Sequence, residues 1–144
     1  MAHGVQVTFD ALDPERLARF WVEALGYVVQ PPPGGFATWD DALDAWGVPT
    51  DERDHAFAIV DPDGAGPRLF FQKVPEPKTA KNRVHLDVNV GEGRGDAAGD
   101  AVREHVTRLE GLGAERVREF GPDTTTGEFW IVMRDPEGNE FCVQ

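Results

Sequence analysis

Amide, imidazole and carboxylate side chains at alternate positions of two short strings are the groups best placed for chemistry in this sequence. Gln6, Thr8 and Asp10 alternate with Val5, Val7 and Phe9, while His85, Asp87 and Asn89 alternate with Val84, Leu86 and Val88. In an extended strand such alternation separates two faces. The apolar faces must meet helices. The polar faces then look into whatever the sheets enclose, because three polar side chains per strand are rarely buried without partners or water. Near the C-terminus, Glu140 and Cys142 share a face opposite Phe141 and Val143. A carboxylate on an otherwise apolar strand costs free energy unless it is paired or coordinated, so Glu140 is a candidate functional group. His85 serves either as a metal ligand or as a hydrogen-bonded lining residue. Cys142 has no activating pattern beside it and reads as packing. His3, His55 and His105 are set aside, the last as a residue on the flank of a helical stripe.

The elements that must hold these groups are legible in order. Val5–Phe9 reads as a strand. Asp13 offers an N-cap and Pro14 the first helical position, and Leu17, Phe20, Trp21, Ala24 and Leu25 recur at helical spacing until Gly26. Tyr27–Gln30 reads as a strand stopped by Pro31-Pro32-Pro33-Gly34-Gly35. Phe36–Trp39 is expected to be extended, Asp40–Trp46 a short helix, and 55–60 and 68–73 two strands joined through the turn Asp61-Pro62-Asp63-Gly64. After a Pro- and Lys-rich connection at 74–82 the order restarts. Val84–Val90 is a strand followed by a glycine-rich loop. Ala98, Ala101, Val102, His105, Val106, Leu109 and Leu112 form a helical stripe ended by Gly113, and strands follow near 114–119, 127–133 and 139–143. The last two are joined by Asp135-Pro136-Glu137-Gly138, which repeats the earlier turn chemistry. The two halves read as an internal duplication in which Gln6 and His85 are equivalent.

Asp13-Pro14-Glu15-Arg16-Leu17-Ala18-Arg19-Phe20-Trp21, Leu25-Gly26-Tyr27, Asn82-Arg83-Val84-His85-Leu86-Asp87-Val88, Leu112-Gly113-Ala114 and Asp135-Pro136-Glu137-Gly138-Asn139-Glu140-Phe141 follow one another in an order that resembles the vicinal oxygen chelate superfamily. They are most similar to its glyoxalase-like branch, grouped with bleomycin-resistance proteins and extradiol dioxygenases. The resemblance implies an α+β fold: one domain over 1–144, built of two tandem βαβββ modules at about 4–74 and 82–144. These would form one cup-shaped, incompletely closed eight-stranded mixed sheet with helices outside.

The resemblance also implies a metal site. Its ligand positions fall on Gln6, His85 and Glu140, and a fourth falls in Arg68-Leu69-Phe70-Phe71-Gln72, where only Gln72 offers an oxygen. An amide, an imidazole and one carboxylate suit a divalent ion such as Zn, Ni, Fe, Mn or Mg. Glu140 would then also move a proton, as the catalytic residue of a metal-dependent lyase or isomerase acting on a small oxygen-chelating substrate. Two alternatives stand beside it: metal-independent binding of an antibiotic-type small molecule, and, less favoured, extradiol-type dioxygenation. Thr8, Phe36, Trp39, Gln72, Asp87 and Trp130 are the expected substrate contacts, aromatic walls with a few polar anchors.

The remaining function classes are narrowed by composition. The 144 residues are 40% hydrophobic and carry 14 Lys+Arg against 26 Asp+Glu, a formal charge of −12 that repels phosphate backbones and anionic membranes. Neither nucleic acid nor membrane is an expected partner. The longest apolar run, Phe129–Met133, is far short of the ~20 residues a membrane helix needs. The N-terminal residues show no signal peptide and the single cysteine no internal disulfide, which predicts a cytoplasmic protein. Homodimerisation is expected as well, since two short sheets leave edges that pairing would protect.

Overall fold

The computed structural model describes residues 1–90 and 96–144. The glycine-rich loop expected after Val90 falls at 91–95, outside the described residues. The chain divides into two compact units, Met1–Val22 with Gly26–Glu76, and Glu23–Leu25 with Pro77–Gln144. Each unit contains a four-stranded mixed sheet, so the described strands follow the α+β plan of two βαβββ modules.

In the first unit β1 (Val7–Ala11) leads to α1 (Pro14–Leu25), then β2 (Val28–Val29), α2 (Trp39–Ala45), a 3-10 turn at Thr50–Glu52, β3 (Ala56–Val60) and β4 (Leu69–Lys73). The sheet order is β1-β4-β3-β2, with β1 parallel to β4 and the other pairs antiparallel. Helix α1 begins and ends where its caps dictate. The Asp13 carboxylate accepts the Arg16 N–H at 3.1 Å, and Gly26 closes the helix at φ 70. Leu17, Phe20 and Trp21 are buried with Ile59, Leu69 and Phe71 of the sheet, and the Phe9 ring lies 5.2 Å from Trp21 and 5.0 Å from Phe71. Burying each such side chain contributes about 1.5–3 kcal/mol. Strand β1 starts two residues later than its alternation suggests, leaving Val5 73% exposed. Phe36–Trp39 is not extended. Bends at Gly34 and Gly35, both at positive φ, lead into a Thr38 cap, so α2 already starts at Trp39.

In the second unit β5 (Asp87–Val88) is followed by α3 (Asp96–Gly111), β6 (Glu115–Phe120), β7 (Trp130–Arg134) and β8 (Glu140–Val143), in the sheet order β5-β8-β7-β6. Val102, Val106 and Leu109 of α3 are buried together with Ile131, Met133, Phe141 and Val143. The alternation over Val84–Val90 yields a regular strand of only two residues, flanked by backbone bonds from Cys142 to Leu86 and from Val90 to Gln144, and Val84, beyond this pairing, is 80% exposed. The two acid-Pro-acid-Gly turns share one mechanism. Asp61 accepts N–H groups from Asp63, Ala65 and Gly66, and Asp135, itself buried, accepts those of Glu137 and Asn139.

Candidate functional site

Pairing in the second sheet sets one face. Strand β5 runs parallel to β8 with Asp87 opposite Cys142, and Ile131 of β7 stands opposite Val143. Cross-strand neighbours share a face, so Asp87, Cys142, Gln144 and Trp130 point the same way. They line a cleft of ≈ 510 Å³ together with His85, Asn89, Val102, Glu128 and Phe129. The Gln144 amide donates to Asn89 at 3.0 Å, and the Trp130 ring stacks on Phe120 with centroids 5.0 Å apart. His85 Nε2 is 3.3 Å from Asp87 Oδ1. Burial, reinforced by the Asp87 charge and by a hydrogen bond from the thiol to that carboxylate, pushes Cys142 up to about 11. These causes disfavour the thiolate that a nucleophilic cysteine needs. One ligand atom from each of His85, Asp87 and Cys142 lies within 4.8 Å of the others.

Glu140 is engaged elsewhere. Its carboxylate accepts the Asn82 N–H at 2.9 Å and pairs with Lys78 Nζ at 2.9 Å, both side chains of the ion pair being less than a fifth exposed. Burial opposes ionisation here. The Asn82 N–H and the Lys78 ammonium outweigh it and hold the carboxyl at about 2. Glu140 is not part of the cleft's lining.

The first unit repeats the register with different chemistry. Strand β1 runs parallel to β4 with Thr8 opposite Phe70 and Asp10 opposite Gln72. With Gln6 equivalent to His85, Thr8 matches Asp87, Phe70 matches Cys142, and Arg68 matches Glu140. A second pair confirms the frame: Gln72 donates to Asp10 at 2.7 Å just as Gln144 donates to Asn89. Arg68 Nη1 donates to Gln6 Oε1 at 2.6 Å, so the amide oxygen available for a metal already faces a guanidinium. Thr8 accepts a long 3.4 Å bond from Gln6. Trp39 donates to the Gln30 carbonyl at 2.7 Å and, with Phe36, packs around Trp46.

The residues picked from sequence thus fall into two groups. His85, Asp87 and Trp130 share the second unit's cleft. Gln6, Thr8, Phe36, Trp39 and Gln72 belong to the first unit, and Glu140 is bound to Lys78. Of the donor set Gln6, His85 and Glu140, Gln6 already accepts from Arg68 and Glu140 already pairs with Lys78, each within its own unit. Sequence reasoning missed Lys78 and Arg68. Lys78 lies 62 residues from Glu140 with no local signal. Arg68 was findable in principle, by carrying the duplication's register through the Asp61–Pro67 turn.

Among the described residues no helix is long and apolar enough to cross a membrane. No curated protein sequence matches the chain at a significant level. Solved structures do share its fold. The fosfomycin resistance protein FosX from Mesorhizobium loti is 15% identical, with 100% of this chain and 92% of that one covered and a TM-score of 0.62. A glyoxalase/bleomycin resistance protein/dioxygenase family enzyme from Burkholderia phytofirmans is 14% identical, covering 96% and 94%, with a TM-score of 0.63. A FosX point mutant from Listeria monocytogenes, solved with Mn(II) and 1S,2S-dihydroxypropylphosphonic acid, is 13% identical, covering 100% and 90%, with a TM-score of 0.64. The family described as Glyoxalase-like domain matches residues 6–144. With that match over nearly the whole chain, and two βαβββ sheets in the same register, the chain belongs to the glyoxalase-like domain family of the vicinal oxygen chelate superfamily.

Proposed function

We propose that the protein binds a small cationic ligand with a flat aromatic part, an antibiotic-type amine, in the cleft of the second unit, and does so without a metal ion at Gln6, His85 and Glu140. The observation that carries this is the Glu140 ion pair. A divalent ion at that carboxylate would have to displace an ammonium already 2.9 Å away, and the same holds for Gln6 and Arg68. Asp87 and Glu128 give the cleft negative charge, and among the described residues its lining contains no lysine or arginine. The protein's charge of −12 adds to the same field. Trp130, stacked on Phe120 through one face, supplies an aromatic face for a cation, while the Phe129 ring already carries the Arg103 guanidinium 4.6 Å from its centroid. We take the protein to be a cytoplasmic homodimer, a reading supported by its free, buried Cys142 and by its exposed Val5 and Val84 at the edge strands.

Calorimetry with benzamidine, its neutral isostere benzamide and the anion benzoate tests this. Benzamidine should bind about tenfold tighter than benzamide, benzoate should not bind, and Asp87→Asn should erase most of the difference. Equal affinity for all three overturns the proposal.

One observation favours a second reading, a metal-dependent lyase or isomerase. The clustered nitrogen, oxygen and sulfur donors of His85, Asp87 and Cys142 suit a borderline ion such as Zn or Ni. When bound, such an ion polarises a substrate oxygen. Zinc uptake by the wild type that His85→Ala abolishes is the expected result under this reading.

A further inference from the structure

Arg68 precedes β4 in the first unit and is held on three sides by uncharged groups. Its Nε donates to Gln30 Oε1 at 2.5 Å, its Nη1 donates to Gln6 Oε1 at 2.6 Å, and its guanidinium lies 5.1 Å from the centroid of the Phe70 ring. A guanidinium has five N–H donors and no acceptor, so two are used here and three are left without a partner among the described residues. The glutamines orient the group without cancelling its charge.

This is unusual within the molecule. The other half-buried arginines are paired with carboxylates: Arg53 with Asp44 at 2.5 Å and Arg103 with Glu119 at 2.8 Å. Surface arginines such as Arg19, Arg108 and Arg134 have acidic partners too. Among the half-buried arginines of the described residues, Arg68 alone has no carboxylate partner, in a protein with 26 acidic residues. Removing a charge from water without a counterion is costly, and a guanidinium fixed in place is pre-organised for a planar or tetrahedral oxyanion. The duplication sharpens the contrast. The register places Arg68 where the second unit has Glu140, so one position that holds a carboxylate against its own lysine in one unit holds an unneutralised cation in the other.

We propose that Arg68, aligned by Gln6 and Gln30, anchors the oxyanion of a small molecule, a carboxylate or a phosphonate. The site lies wholly in the first unit and uses none of the residues that line the cleft proposed above.

The test follows the Arg68 Nε–H resonance by NMR in the full-length, arginine-labelled protein at constant ionic strength. Acetate, methylphosphonate and methylammonium are titrated separately. A saturable shift of the Arg68 signal with acetate or methylphosphonate, and none with methylammonium, is the expected outcome, and the tighter of the two anions identifies the class. Arg68→Lys should weaken that binding about tenfold, because an ammonium keeps the charge but loses the fork. Gln6→Met should weaken it by a smaller factor while leaving the charge in place. A shift that never saturates, or one matched by the solvent-exposed Arg16, overturns the proposal. Because the wild-type signal reports binding directly, the outcome does not depend on any variant folding.

Discussion

Glu140 carries a charge that is stabilised by the Asn82 N–H and the Lys78 ammonium, and this makes it a measurable contributor to stability. Its carboxyl is lowered from 4.5 to about 2 in the folded protein. The contribution is therefore full above about pH 4.5 and is lost as the pH falls through about 2. Glu140→Gln keeps the shape but removes the charge. We expect it to cost about 2 kcal/mol at neutral pH, the scale of hydrogen bonds to a charged group. Chemical denaturation across the acid range should show a flatter pH dependence in the variant. Curves that stay parallel to the wild type would show that Glu140 is not stabilised in this way. The position of Glu140 on its strand was legible from alternation with Phe141 and Val143. Its partner was not, because Lys78 comes from an irregular connection with no periodicity to place it. Arg68 was hidden for another reason: it sits just past the Asp61–Pro67 turn, through which the register of the duplication has to be carried to reach it.

At the level of elements, caps and turns were the most legible features. Asp13, Pro14 and Gly26 bound α1, and Asp61 and Asp135 organise their turns through side-chain acceptors, all effects of neighbours within a few residues. Strand lengths were less so. Val84–Val90 alternates throughout, yet the backbone bonds to β8 run only from Leu86 to Val90 and the regular strand is Asp87–Val88, since pairing depends on how far the neighbouring strand extends. The connection between β6 and β7 carries Glu128 and Phe129 to the cleft, and Gly121 controls it. At φ +89 a Cβ on Gly121 would meet the Glu128 carbonyl oxygen at 2.3 Å, a backbone atom that cannot swing aside. Gly121→Ala should destabilise the protein by about 2–4 kcal/mol, from left-handed backbone strain plus the clash. It should also weaken cationic ligands in the cleft. A variant with wild-type thermal stability and ligand affinity would show that the connection adapts freely.

For the whole molecule, the duplication was the decisive sequence feature: two βαβββ halves account for two four-stranded sheets of matching order. Composition set the sign of the electrostatics but not where positive charge survives. Each sheet ends in an edge strand preceded by an exposed valine, Val5 before β1 and Val84 before β5. Such edges favour pairing with a second copy. Light scattering should give twice the 15.9 kDa chain mass at micromolar concentration, and a 15.9 kDa particle would contradict dimerisation.

The central claim is that the second unit's cleft takes a cation without help from a metal. Calorimetric titration of benzamidine into protein stripped with EDTA, repeated after saturation with zinc or manganese, tests it most directly, with metal content measured in the same samples. The account predicts saturable binding to the stripped protein, and equal or weaker binding once a divalent ion is present, since the ion would compete for Asp87. Binding that appears only in the metal-loaded protein would contradict it.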